Sequence, residues 1–169
     1  MIGLPFELSY NENNPLDLVE DFCESKGWAF TRGDDHAVTI TLPGLKLNYD
    51  VQMEWQDEYS ALMISCAVPV EIQEEHDAMA MDAFGTINEN LWLGHFDLSG
   101  KGGKYPTFRH TMLLRMIPAG VAVDLIGDVL EIAQAECNRF HSTFQLAANG
   151  DTRLQDDLDA AVFETVGEA

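Results

Sequence analysis

The chain has 169 residues, a length that suits one domain with a single hydrophobic core. Nine Lys and Arg against 29 Asp and Glu give a formal net charge of −20, while hydrophobic residues make up 46% of the chain, enough to fold. This charge argues against binding to nucleic acid or to an anionic membrane surface, and no apolar run approaches the roughly 18 residues of a membrane span. The first residues carry no cationic segment, so we expect no secretory signal.

The three cysteines, Cys23, Cys66 and Cys137, are odd in number and widely separated. This spacing argues against a disulfide framework and favours a reducing compartment. Their neighbours are apolar at helix or strand spacing, which is typical of small buried side chains. We therefore expect a bacterial cytoplasmic protein with buried thiols.

A capped helix opens the predicted fold. Asn14 is a favourable N-cap residue, and Pro15 suits the first helical position. Apolar residues then recur at helical spacing as far as Gly27, a residue type that is typical of helix ends. We expect this helix over about residues 15–26.

Alternating apolar residues predict an antiparallel sheet after this helix. Residues 28–42 are predicted to form two strands with a turn at 33–35. Leu45–Trp55 alternates strictly over eleven residues and is the clearest strand, and Tyr59–Val68 is a fourth candidate. Since short turns separate these segments, we expect three or four strands in a meander.

Two long helices are predicted in the second half. Amphipathic spacing indicates one helix over about residues 71–92, ended by Gly94, and another over about residues 121–144. Between them, the strands His95–Leu98 and Tyr105–Met116 are predicted to flank a loop rich in lysine and glycine.

This order of elements predicts an α+β fold rather than a parallel α/β sheet. The expected elements are a helix, an antiparallel β-meander, a long helix, a β-hairpin and a second long helix. We expect a single α+β domain over residues 1–150, followed by an acidic C-terminal helix or tail over residues 151–169.

Local signatures of catalysis or of cofactor binding do not occur in the sequence. The five histidines include no pair at the spacing of a helical zinc site, and neither Cys-x-x-Cys nor Gly-x-Ser-x-Gly is present. The string Gly100–Lys104 resembles a phosphate-binding loop, but a strand pattern follows it where such a loop needs a helix. We therefore expect no catalytic residue, no metal and no cofactor.

Basic residues are concentrated in one segment. Residues 1–90 hold 18 acidic and three basic residues, whereas residues 101–115 hold four of the nine basic residues and no acidic one. Two interpretations stay open: a docking patch for an acidic partner, which includes a second copy of the chain, or local pairing with nearby acidic residues. The four basic residues are Lys101, Lys104, Arg109 and Arg115.

One stretch resembles a known family. Ile87–Leu98, with the sequence INENLWLGHFDL, and the PTFRH string at Pro106–His110 resemble the YbjN family, described as bacterial sensory transduction regulators. The order of elements, the AQAECNRF string at residues 133–140 and the closing Glu164–Ala169 are also similar to that family. The resemblance covers nearly the whole chain.

The resemblance implies a fold similar to type III secretion chaperones. Those proteins are small, acidic, cytosolic and usually dimeric, have no enzymatic activity, and bind an extended segment of a partner. No catalytic residue is carried over from the family. Candidates for contact with a partner are instead Asn88, Trp92, Phe96, Lys101, Lys104 and Arg109.

Each of these candidates also has a purely structural explanation. Asn88 could hold a partner's backbone or bridge the helix end to the next strand. Trp92 and Phe96 could be core residues or interface anchors. Arg109 lies in an apolar strand, where it could pair with a carboxylate.

Three functions follow as hypotheses. The first is a non-enzymatic, YbjN-like regulator or chaperone-like module that binds a protein partner and forms a homodimer. The second is an enzyme whose site assembles in space near His95 and His110. The third is a small-ligand sensor with a pocket between sheet and helices.

Overall fold

The computed structural model describes residues 14–99 and 104–164, which form an α+β fold, as predicted. The helices are α1 (Pro15–Lys26), α2 (Asp77–Glu89), α3 (Ala119–Ala148) and α4 (Leu154–Phe163). The strands are β1 (Phe30–Asp34), β2 (Ala37–Leu42), β3 (Tyr49–Gln56), β4 (Ala61–Ala67), β5 (His95–Ser99) and β6 (Tyr105–Leu113). Short 3-10 helices at Asp57–Tyr59 and Glu74–His76 precede β4 and α2.

The six strands form one antiparallel sheet in the order β1-β2-β3-β4-β6-β5. The first four strands are a meander, and the hairpin of β5 and β6 extends it through pairing of β6 with β4. This order places β4 and β6 in the interior of the sheet and leaves β1 and β5 at its edges. The predicted meander and hairpin are thus confirmed as parts of a single sheet.

Alternation along the strands gives the sheet one covered and one open face. In β3, Tyr49 and Val51 are fully buried, whereas Asp50 and Gln52 between and beyond them are exposed. The helices lie on the covered side, where the Tyr49 hydroxyl donates a hydrogen bond of 2.8 Å to Oδ1 of Asn138 in α3. The core therefore lies between the sheet and the helices.

Helix α1 has the bounds that its capping residues predict. The side chain of Asn14 accepts a hydrogen bond of 3.0 Å from the backbone N–H of Leu16. Gly27 ends the helix in the left-handed region, at φ 69°. The buried side of the helix consists of Pro15, Leu16, Val19 and Cys23.

Strand β3 begins at Tyr49, four residues later than the sequence alternation predicts. Leu45 is 85% exposed, and its backbone N–H donates to Oδ1 of Asn138 at 3.0 Å. Its hydrogen bond therefore goes to a side chain of α3 instead of a neighbouring strand. The prediction of a strand from Leu45 onward was wrong because alternation of apolar residues does not show which acceptor a backbone N–H will bond to.

Helix α2 is shorter than the predicted helix over residues 71–92. Before it, the backbone N–H of Ile72 donates to the carbonyl of Lys104 at 2.8 Å, so this stretch is attached beside β6. After it, the side chain of Asn90 donates to the carbonyl of Thr86 at 2.8 Å and caps the helix end. Ile72 is fully buried although it lies outside the helix, so its place in the helical pattern was misleading.

Gly94 has a positive φ of 70°, and it leads into β5 instead of ending the helix as predicted. A Cβ atom at this position would overlap the ring of Phe108. The residue is therefore required for a left-handed turn and for close packing of that ring.

Helix α4 packs against α3 and fills the predicted C-terminal helical segment as far as residue 163. Leu158 is fully buried. The carboxylate of Asp157 accepts hydrogen bonds from the hydroxyls of Ser142 and Thr143 at 3.0 and 2.8 Å. The last part of that segment, residues 165–169, lies outside the described residues.

The three cysteines are free thiols without solvent exposure, as expected of small core residues. The sulfur atoms of Cys66 and Cys137 lie 3.6 Å apart between β4 and α3. Burial, followed by the neighbouring Cys66, raises the pKa of Cys137, and burial raises the pKa of Cys23 to about 11. The thiols of Cys23 and Cys137 are therefore protonated in the folded state.

His141 of α3 is only 2% exposed, and neither ring nitrogen has a hydrogen-bond partner within the described part of the chain. Burial, followed by the positive charge of Lys46, lowers the pKa of its imidazole. Burial and then His95 lower the pKa of His110 in the same direction. Both imidazoles are thereby held in the neutral form.

Acidification should destabilise the fold through His141. Because its native pKa is lowered, the unfolded state binds more protons once the pH falls below the unfolded value of about 6.5. The free energy of unfolding should therefore decrease from pH 7 toward about pH 5.5, by at most about 1.4 kcal/mol per pH unit for this group. Urea unfolding across this range measures the slope.

The variant His141→Phe should flatten this slope, while His36→Gln, at an exposed position, should retain it. His110 contributes in the same direction, so a reduced slope is expected rather than none. A full slope in His141→Phe would contradict the assignment.

Candidate functional site

The open face of the sheet carries a groove above β4. The small side chains of Ser65 and Ala67 lie between larger ones from β3 and β6, and Ser65 is in register with Gln52 on one side and Arg109 on the other. The resulting cavity has a volume of about 380 Å³, within the roughly 300–1,000 Å³ typical of small-ligand sites. It is also lined by Asp50, Glu54, Met63, Ser99, Tyr105 and Thr107.

The two sides of this groove carry opposite charges. On the β6 side, Nε of Arg109 lies 3.2 Å from Oδ1 of Asp97 in β5, and the arginine side chain is 40% exposed. On the β3 side, Asp50 and Glu54 are exposed and form no ion pair with residues of the described ranges. Their carboxylates are thus available to a ligand or partner.

The polar side of β3 could be identified from its alternation with apolar residues, but the groove could not. Its depth depends on Ser65 and Ala67 being flanked by larger residues from two other strands. The pairing of β6 with β4 across 40 or more residues creates this arrangement, and no local pattern predicts it.

Asn88 bridges the end of α2 to the edge strand β5. Its side-chain amide donates to the carbonyl of Phe96 at 3.0 Å and accepts from the backbone N–H of Phe96 at 2.7 Å. The amide thus makes the two backbone hydrogen bonds that a neighbouring strand would otherwise make at this open edge of the sheet. This is the structural one of the two roles considered for Asn88, and contact with a partner through this amide would require both bonds to break.

Phe96 and Trp92 lie in opposite environments. Phe96 is 1% exposed and belongs to the core, where its ring lies 5.1 Å from that of Phe144 between centroids. Trp92 is 78% exposed in the connection between α2 and β5. Only Trp92 therefore has a surface that a partner could bury without rearrangement of the core.

The basic segment is partly neutralised within the fold. Nζ of Lys104 lies 3.6 Å from Oε1 of Glu71, and Arg109 pairs with Asp97. Arg115 is exposed, and Lys101 lies outside the described residues. Local pairing thus accounts for Lys104 and Arg109, and their contact with a partner stays a prediction.

His95 and His110 do not converge on one side of the sheet. His95 is exposed on the open face, where its Nε2 lies 4.0 Å from Oδ2 of Asp97. Alternation along β6 directs His110 toward the covered face, together with the buried Phe108. A substrate near both imidazoles would have to reach both sides of the sheet.

Within the described ranges, no three histidine, cysteine or acidic residues come together as ligands for a metal ion. No helix in the same ranges has both the length and the apolar character needed to span a bilayer. The groove lies on the side of the sheet opposite the helices, whereas the sensor hypothesis placed a pocket between the two layers.

An antiparallel sheet with helices on one face and a polar groove on the other defines a class of small α+β proteins built around an uncovered sheet surface. The family model of YbjN, described as "Putative bacterial sensory transduction regulator", matches residues 15–146. The chain belongs to the YbjN family. This confirms the resemblance given by its sequence.

The fold is also similar to the crystal structure of YbjN, described as "a putative transcription regulator from E. coli". The TM-score is 0.54 at 11% sequence identity, over 75% of this chain and 91% of that chain. At this identity the similarity establishes the fold alone. No curated protein gives a significant match to the sequence.

Proposed function

We propose that this chain is a non-enzymatic regulator of the bacterial cytoplasm that acts by binding a protein, in the manner of a chaperone-like module that also self-associates. The observation that carries the proposal is the open face of the sheet, which no element of the described ranges covers. Membership of a family of regulators supports it. Binding without catalysis also agrees with the placement of His95 and His110 on opposite faces of the sheet.

The composition of the open face suits contact with a protein. Leu113 is 71% exposed and Met63 is exposed beside it, among polar residues such as Thr111 and Gln52. Scattered apolar side chains within a polar surface are typical of non-obligate protein interfaces. The negative net charge opposes nucleic acids and anionic membranes as alternative partners.

Self-association would use a different part of the surface. Two copies each carry a net charge of −20, so contact between their acidic regions is repulsive. Trp92, in the connection between α2 and β5, offers an exposed aromatic anchor. We therefore place the homodimer contact around Trp92 and the protein partner on the open face.

Site-specific photo-crosslinking tests the proposal. A benzoylphenylalanine at the exposed Thr111 should form covalent adducts with a partner protein in cells, whereas one at the exposed Asp128 on α3 should not. Sedimentation equilibrium of the purified chain should give twice the 18.8 kDa of one copy. Adducts of equal yield from both positions, or no adduct from Thr111, would overturn the assignment of partner binding to the open face. A strictly monomeric mass in sedimentation would overturn self-association.

A further inference from the structure

We infer that the groove above β4 binds a short peptide of two or three residues through its free, charged termini. The inference concerns a small ligand on the open face and does not depend on the protein partner proposed above. It rests on the opposite charges of the two walls, on their separation and on the small residues between them.

The β6 wall supplies a site for a carboxylate. Arg109 lines the groove, and its Nε lies 3.2 Å from Oδ1 of Asp97 as an ion pair without a hydrogen bond between these two atoms. The terminal amino groups have no partner among the described residues and remain available as donors. A planar pair of such donors matches a carboxylate, the group at the C-terminus of a peptide.

The β3 wall supplies sites for an ammonium group. Asp50 and Glu54 lie two residues on either side of Gln52, the residue in register with Ser65 and, through it, with Arg109. Either carboxylate is therefore diagonal to Arg109 across the groove. Neither carboxylate has an ion-pair partner in the described ranges. The α-ammonium group of a peptide would therefore supply the positive charge that each of them lacks.

The distance between the walls sets an upper limit on the length of the ligand. Two strand spacings separate β3 from β6 by about 9.5 Å, and the diagonal offset brings the Cα separation to about 12 Å. An extended tripeptide spans about 10–11 Å and a dipeptide about 7 Å, so both fit within this separation. A single amino acid spans only about 3.5 Å of it.

The floor of the groove leaves room for such a backbone. Ser65 and Ala67 project little from β4, and the cavity of about 380 Å³ lies directly above them. A purely anionic ligand would face Asp50 and Glu54, and a purely cationic one would face Arg109. A zwitterion is the ligand class for which both walls are favourable.

Isothermal titration calorimetry with tri-alanine at low ionic strength tests this inference. N-acetyl tri-alanine and tri-alanine amide each lack one terminal charge and should bind at least about tenfold more weakly. Arg109→Gln should cause a similar loss for tri-alanine, as should Asp50→Asn combined with Glu54→Gln. Arg115→Gln changes the same charge at an exposed position outside the groove and should bind like the parent.

Amide chemical shifts in NMR locate the site, since tri-alanine should move the signals of Ser65 and Thr107 and leave those of α4 unchanged. Absence of binding at millimolar peptide, or equal binding of blocked and free peptides, would overturn the inference.

Arg109→Gln also removes the pair with Asp97, so its fold is checked by thermal melting. The variants of exposed, unpaired Asp50 and Glu54 test the same groove if it unfolds. Crosslinking from Thr111 is a separate readout, so failure here leaves the protein-binding proposal intact.

Discussion

Replacing Phe96 with alanine should lower the free energy of unfolding by about 3–5 kcal/mol. The side chain is buried at the junction of β5, β6 and α3, and its ring centroid lies 5.6 Å from that of Phe108 and 6.1 Å from that of Phe140. Truncation removes the apolar contact and leaves a cavity among large rings that cannot easily collapse. Urea unfolding followed by far-ultraviolet circular dichroism measures the change.

Trp92→Ala is the matched control for this prediction. Trp92 lies only four positions away and is also aromatic, but its exposure of 78% leaves little packing to lose. We expect the free energy of unfolding of the Trp92→Ala monomer to change by no more than about 0.5 kcal/mol. Comparable losses in the two variants would show that the cluster around Phe96 does not dominate the core.

Substituting Asn88 by alanine should cost about 2–4 kcal/mol of folding stability. The change removes both hydrogen bonds to the backbone of Phe96 and leaves a partly buried N–H and carbonyl without partners. Each such unpaired group costs about 1–3 kcal/mol. The exposed edge of β5 should also promote pairing between strands of different molecules, which light scattering detects.

Asn90→Ala provides the comparison for Asn88. The two asparagines lie at the same helix end, but Asn90 is exposed, and its side chain makes one hydrogen bond among the described residues, to the carbonyl of Thr86. Its removal should cost less than about 1 kcal/mol and should leave the molecule as dispersed as the parent. If both variants lost the same stability, the bridge to β5 would have no special importance.

The contrast between these pairs shows where sequence reasoning reached its limit. Trp92 and Phe96 are both large aromatics near a helix end, and only their contacts distinguish an exposed ring from a core ring. Asn88 and Asn90 are equally plausible as capping residues. Their different roles arise because β5 passes beside Asn88, and that path depends on the pairing of the hairpin with β4.

The candidate groove was beyond prediction for a related reason. The exposed acids of β3 and the basic residue Arg109 of β6 are more than 50 positions apart in the chain. The apolar pattern around Arg109 correctly predicts a strand, but the strand order that brings Arg109 opposite the acids is a property of the whole sheet. The distribution of charge along the sequence therefore reveals the basic segment, but it does not show that the acidic residues of β3 lie opposite Arg109.

The sequence by itself determined the class of fold and the main elements. The caps of α1, the alternation in β2 to β4 and the helical spacing of α3 are local signals, because backbone geometry sets their periods. The tertiary structure decided which alternating segments pair as strands. At Leu45, for example, the backbone N–H donates to the side chain of Asn138 and not to a neighbouring strand. It also decided which face of the sheet stays uncovered. Contacts and hydrogen bonds between residues distant in sequence form only when the whole chain folds, so no local pattern specifies them.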